Sequence, residues 1–212
     1  MFSACTPTAF GPPCKRTTER WYSLAKVSRR ARGPRMQLRD DEVLVISHLL
    51  DELDGLLGGG DPPAQAAREG TDGDDDVIAG LNWSTDPVVT PSDPALLRLL
   101  PDAYPDDAEA TEEFRRYTDA TLRDGMHADL LAVRESLLVI GENGHASLDD
   151  DVAQAWLRVL NRVRLVLAVR LGIENATDHD DLAVIDADDP RTGPFLLFEW
   201  AGYLLSDLLA AC

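Results

Sequence analysis

The stretch "LDDDVAQAWLRVLNRVRLVLAVRLG", residues 148–172, decides the fold. Trp156, Leu160, Val163, Leu167 and Leu171 recur at helical steps, flanked by Val152, Val159 and Val166. That period belongs to a helix and not to a strand. Asp149–Asp151 suit the positive N-terminal end of a helix, Arg170 suits the negative C-terminal end, and Gly172 can close it. The apolar face is wide, which predicts a central helix packed on several neighbours.

Further helices flank this one. "DDEVLVISHLLDELDGLLGGG" (40–60) places Val43, Ile46, Leu49, Leu50, Leu53 and Leu57 on one face. Asp40 or Asp41 can cap it, and the glycines end it. "SDPALLRLLPDAY" (92–104) reads as a short helix opened by Ser92 or Asp93 and stopped by Pro101. The spacing after it predicts one long helix over 107–139, with Phe114, Thr118, Leu122, Met126, Leu130, Val133 and Leu137 as its stripe and Gly125 as a soft point. "GENGHAS" (141–147) reads as a turn, and "ENATDHDDLAVIDADDPRTG" (174–193) as an acidic loop. Pro194 starts a last helix with Phe195, Phe198, Ala201, Leu205 and Leu208 inward.

The expectation is an all-α bundle of about four main helices plus a short one. "KVSRRARGPRMQL" (26–38) adds either a small N-terminal β-hairpin or an extended lead-in. Residues 1–20 are expected to be a disordered extension and 21–212 a single helical domain, with a long loop at 58–92 anchored by Trp83 and a helical turn near Ala64–Arg68.

Charge is uneven along the 212 residues, whose formal net charge is −18. Residues 1–39 hold nine Lys and Arg and one acid, Glu19; the remainder holds 11 basic and 37 acidic residues. An acidic body repels phosphate backbones. The basic arm, Lys15–Arg39, either docks on that body, which is the preferred reading, or contacts DNA. Arginines punctuate the greasiest stretch, so no membrane helix is expected, and the N-terminus lacks the apolar run of a signal peptide. The localisation expected is cytoplasmic.

Catalytic chemistry finds no support. The four histidines are scattered, Ser136 and Ser206 lie in helices, and no phosphate-binding glycine loop is present. No metal or cofactor is expected: "DGDDD" (72–76) lacks the glycine and the closing glutamate of a calcium loop, and "DHDD" (178–181) has no second histidine at helical spacing. Arg164 lies at the edge of the central helix's apolar face. It reads either as an anion or partner site or, preferably, as an arginine whose stem packs inward and whose fork pairs with Asp102, Glu113 or Glu199. The redox candidates are the three cysteines, Cys5, Cys14 and Cys212, although the preferred reading of Cys5 and Cys14 is an unstructured tail with incidental thiols. Cys14 precedes Lys15-Arg16, the basic setting that favours a thiolate.

The segments "DPALLRLLPDAYPDD" (93–107), "EFRRYTDATLR" (113–123), residues 148–173 and "FEWAGYLL" (198–205) give the chain a family likeness. Together they resemble an actinobacterial family catalogued as a domain of unknown function, encoded near the ClpS adaptor and also named AosR, the oxidative-stress transcription regulators. The resemblance implies a non-enzymatic regulator that senses oxidants through cysteines and contacts a sigma factor or RNA polymerase. An adaptor in ClpS-linked proteolysis is an alternative. The matching positions include Leu99, Leu100, Pro101, Asp102, Tyr104, Trp156, Asn161, Arg164, Leu165 and Trp200, read as fold-defining or partner-contacting. Sensing by that family implies a closely spaced cysteine pair. Here Cys5 and Cys14 precede the matching region, and Arg162 stands where the resemblance implies an acid.

Overall fold

A computed structural model describes residues 25–30, 33–58 and 91–212. Six helices take up 70% of these residues, and three short antiparallel strands complete the fold. The strands are β1 (Lys26–Arg30), β2 (Gly33–Gln37) and β3 (His145–Ser147), and the helices are α1 (Asp40–Leu56), α2 (Pro94–Leu99), α3 (Ala108–Asn143), α4 (Asp150–Leu171), α5 (Ala176–Leu182) and α6 (Thr192–Ala211). The all-α expectation holds.

Helix α4 is the central element, packing against α6, α3, α2 and β2. Its ends are closed by the residues the sequence marks. Asp149 accepts from the Val152 N–H at 2.9 Å, and Gly172 takes the left-handed φ of 71°. Asp93 caps α2 in the same way, accepting from the Ala95 N–H at 2.8 Å, and its other oxygen takes a 2.6 Å bond from Arg170 on α4. That guanidinium holds the Asp93 carboxyl below its ordinary pKa.

Four local readings are corrected. The cap of α1 is Arg39, not Asp40 or Asp41; the helix begins at Asp40, and Glu42 reaches back to accept the Arg39 N–H at 2.8 Å. The first half of the α3 stripe is misplaced, for Phe114 and Leu122 are exposed while Thr111 and Arg115 are buried. Helix α3 runs through Gly125 to Asn143 without interruption. "GENGHAS" carries β3, and the acidic loop carries α5, capped by Asn175 through the N–H groups of Thr177 and Asp178.

The hairpin is real, and β3 makes it a sheet of order β1-β2-β3. Met36 of β2 pairs with Ala146 of β3 and is fully buried. Gly33, at φ 103°, lies against the Leu148 carbonyl, where a side chain would collide with backbone. Strand β1 lies on α6, and β3 lies on α3.

Helix α6 departs from the expectation that no segment suits a membrane. By length and composition it is long and apolar enough to cross one, with a mean hydropathy of 1.2. The arginine punctuation that argued otherwise belongs to α4, and α6 carries only Glu199 and Asp207 as charges. In this fold Phe195, Phe198, Trp200, Ala201, Leu204 and Leu208 are buried, so much of its apolar surface serves the core. The 58–92 loop, its Ala64–Arg68 turn and Trp83, like residues 1–20, lie outside the described residues except at the loop's ends.

Candidate functional site

Pro101 ends α2 and leaves Asp102 and Tyr104 on the connection to α3. Asp102 is held by Arg115, which is only 3% exposed. Arg115 Nη2 donates to Asp102 Oδ1 and to the Leu100 carbonyl, both at 2.8 Å, while Nη1 faces Asp119 at 3.5 Å. The Tyr104 backbone is fixed by Thr111, whose hydroxyl donates to the Tyr104 carbonyl at 2.7 Å. This fixed backbone projects the Tyr104 ring half into solvent, edge-on to Phe114 with centroids 6.1 Å apart. Tyr104, Glu113, Phe114 and Tyr117 line a shallow depression of about 260 Å³.

Trp156 is 0% exposed, and its indole N–H donates to Ser136 Oγ on α3 at 2.8 Å. Trp200 is buried on α6, whereas Asn161 is exposed on α4. Arg162, the position of unexpected charge, is neutralised locally. Its Nη1 donates to Asp129 Oδ2 at 2.6 Å, and Arg158 donates to the same carboxylate. Burial pushes the Asp129 carboxyl up, but the two guanidiniums outweigh it and hold the group below its ordinary value.

Arg164 packs its stem inward as expected, but among the described residues it takes no carboxylate. Asp102 goes to Arg115, Glu199 goes to His179, and Glu113 stays exposed. The Arg164 guanidinium instead lies over the Phe198 ring at 4.8 Å, a cation–π contact, and its buried Nε has no hydrogen-bond partner. Gly202 makes the approach feasible, since a Cβ there would stand 3.2 Å from Nε.

His179 of α5 completes this cluster. Its Nε2 lies 2.9 Å from Glu199 Oε1, and its ring tilts against Phe195 at 5.4 Å. The Glu199 carboxylate raises the His179 pKa above 6.5, against burial and with help from Asp180. The α5–α6 link is therefore complete below pH 6.5 and is lost as pH rises through the elevated folded-state value. Chemical denaturation across this range is expected to show stability falling with rising pH, and Glu199→Gln should flatten that slope. An unchanged slope in the variant would assign it to other groups.

Cys212 is a free, exposed thiol at the end of α6, while Cys5 and Cys14 lie outside the described residues, as does "DGDDD". Among the described residues no three His, Cys, Asp or Glu side chains are grouped to hold a metal ion. The sequence reading missed Arg115, Asp129 and the His179–Glu199 pair. The signal available for Arg115 and Asp129 was their place on the inward face of α3, where apolar residues were sought. What the structure offers outward is contact surface: an aromatic edge at Tyr104 and Phe114, and long acidic helices.

Residues 24–212 match the family described as Domain of unknown function (DUF2017). The chain is 30% identical to the oxidative stress regulator AosR of Mycobacterium tuberculosis, over 79% of this chain and 82% of that one. The AosR of Mycobacterium bovis matches to the same extent. A Mycobacterium leprae protein bearing the AosR name is 29% identical over 97% of this chain and 98% of its own. No solved structure matches.

Proposed function

The chain belongs to the DUF2017 family, and from that premise we propose that it is a non-enzymatic cytoplasmic regulator of the oxidative-stress response, acting through contact with a sigma factor or RNA polymerase. The observation that carries this reading is the match to proteins named oxidative stress regulators, over 97% of this chain in one and 79% in another. Those relatives are named as regulators and not as enzymes. The acidic body supports a protein partner with a basic surface and disfavours nucleic acid there.

The test is co-purification. Tagged full-length protein from peroxide-treated cells is expected to bring down RNA polymerase or a sigma factor at a higher yield than from untreated cells. Absence of both under both conditions would overturn the reading. The thiol component rests on Cys5 and Cys14. Peroxide would oxidise the two thiols to a disulfide with release of water, and peptide mass mapping reads that cross-link directly.

A second reading has one observation in its favour. Lys26, Arg29 and Arg30 are exposed on β1, the outer strand of the sheet, where they could meet a phosphate backbone. Direct DNA binding through the basic arm predicts an affinity that falls steeply with salt and disappears when residues 1–39 are deleted.

A further inference from the structure

Exposed large apolar side chains gather on one element. Phe114, Tyr117, Leu131, Leu138 and Val139 are all on α3, with Leu131 at 58% and Leu138 at 70% exposure. They do not face the core, which α3 meets through Met126, Leu130, Val133, Leu137 and Ile140. Tyr117, Asp124, Leu131 and Leu138 follow one another at seven-residue steps. On a helix, residues seven apart lie almost in line, so these four form one outward seam. From Tyr117 to Leu138 the seam is about 32 Å long at 1.5 Å per residue.

The charges on and beside this seam have one sign. Glu113, Asp124, Glu135 and Glu142 are exposed along the same outward side. None of the four has an ion pair among the described residues. The arginines of α3 are engaged elsewhere. Arg116 faces Glu112 at 3.9 Å, Arg123 takes Asp119 and the Leu57 carbonyl, and Arg134 takes Asp51 and Asp54 of α1.

We propose that this outward face of α3 is the docking surface for a basic amphipathic helix of a partner protein, with apolar residues seated along the Leu131–Leu138 seam and Lys or Arg side chains meeting the flanking acids. The acids select the occupant. A second copy of this chain would bring the same carboxylates against themselves on a body of formal charge −18. An anionic membrane surface would be repelled for the same reason. A helical partner with basic flanks satisfies both the spacing and the sign. The proposal rests on the protein–protein reading above and specifies the surface it uses.

The test uses the full chain and a fluorescent synthetic helix with leucines on one face flanked by lysines, beside a twin with glutamates in place of the lysines. The lysine peptide is expected to bind and the glutamate twin not to. Leu131→Lys with Leu138→Lys should weaken binding roughly tenfold or more. Leu44→Lys with Val184→Lys makes the same charge change at other exposed apolar sites, 71% and 82% exposed, and should leave affinity within about twofold. Circular dichroism should show both variants folded, because all four positions are exposed. Equal weakening by the two pairs, equal binding of both peptides or no binding of either would overturn the assignment. Concentration-dependent dimerisation abolished by the Leu131/Leu138 pair would overturn it in favour of a second copy. None of these results touches the regulator reading, which stands on co-purification.

Discussion

Replacing Trp156 with alanine is expected to lower the unfolding free energy by about 4 kcal/mol. The indole is 0% exposed on the central helix and is surrounded by the main core, so truncation removes its transfer free energy and leaves a cavity that the helices cannot close. The loss has a polar part as well. Ser136 Oγ, which donates to the Val133 carbonyl at 2.8 Å, would lose the indole N–H it accepts. Trp156→Phe keeps most of the volume and should cost about half as much. Urea unfolding followed by far-UV circular dichroism measures both. A loss below about 1 kcal/mol for the alanine variant would remove Trp156 from the centre of the fold.

Arg115→Met is expected to cost about 3 kcal/mol, because a buried cation would be withdrawn from partners that stay in place. The Leu100 carbonyl would lose its 2.8 Å donor, and Asp119, 14% exposed, would keep only Arg123. Arg115→Lys retains the charge but not the fork that reaches Leu100 and Asp102 together, so it should recover less than half of the loss. Asp102→Asn alone should cost about 1 kcal/mol, since that carboxylate is 41% exposed. In the Arg115→Met background the same change should cost close to nothing. Additive losses in this cycle would show that the two side chains act separately.

Helix α4 was legible because everything that defines it is local: period, acidic first turn, closing glycine. The second half of the α3 stripe was legible for the same reason. Its first half was not, because Thr111 and Arg115 occupy inward positions and are made acceptable there by Tyr104 and Asp102, which belong to another segment. Strand β3 has three residues and no pattern of its own; its pairing with β2 makes it a strand. Helix α5 is almost entirely polar and is held by its Asn175 cap and by Leu182 packing against Phe195 and Phe198.

The candidate site divided along the same line. Trp156 is interior, as its helical spacing implied, and Trp200, left off the inward face of the last helix, is interior too. Arg164 was correctly drawn inward and wrongly partnered, since nothing in one sequence reveals that α6 presents Phe198 and Gly202 to it. Leu131 and Leu138 were left out of the α3 stripe read from the sequence. Their seven-residue step looks outward only once Leu130 and Leu137, one position earlier in each case, are seen to hold the core.

The sheet ties the beginning of the described chain to its middle and its end. Residues 35–37 pair with residues 145–147, and β1 lies on α6, which runs to Ala211. During synthesis the β1–β2 hairpin leaves the ribosome long before either surface that covers it exists. Met36 then has no core, and the edge of β2 has no partner strand, a state open to pairing with other chains. Closing so long a loop slows folding more than it weakens the finished fold. The β1–β2 hairpin is thus secured only after α6 has been made.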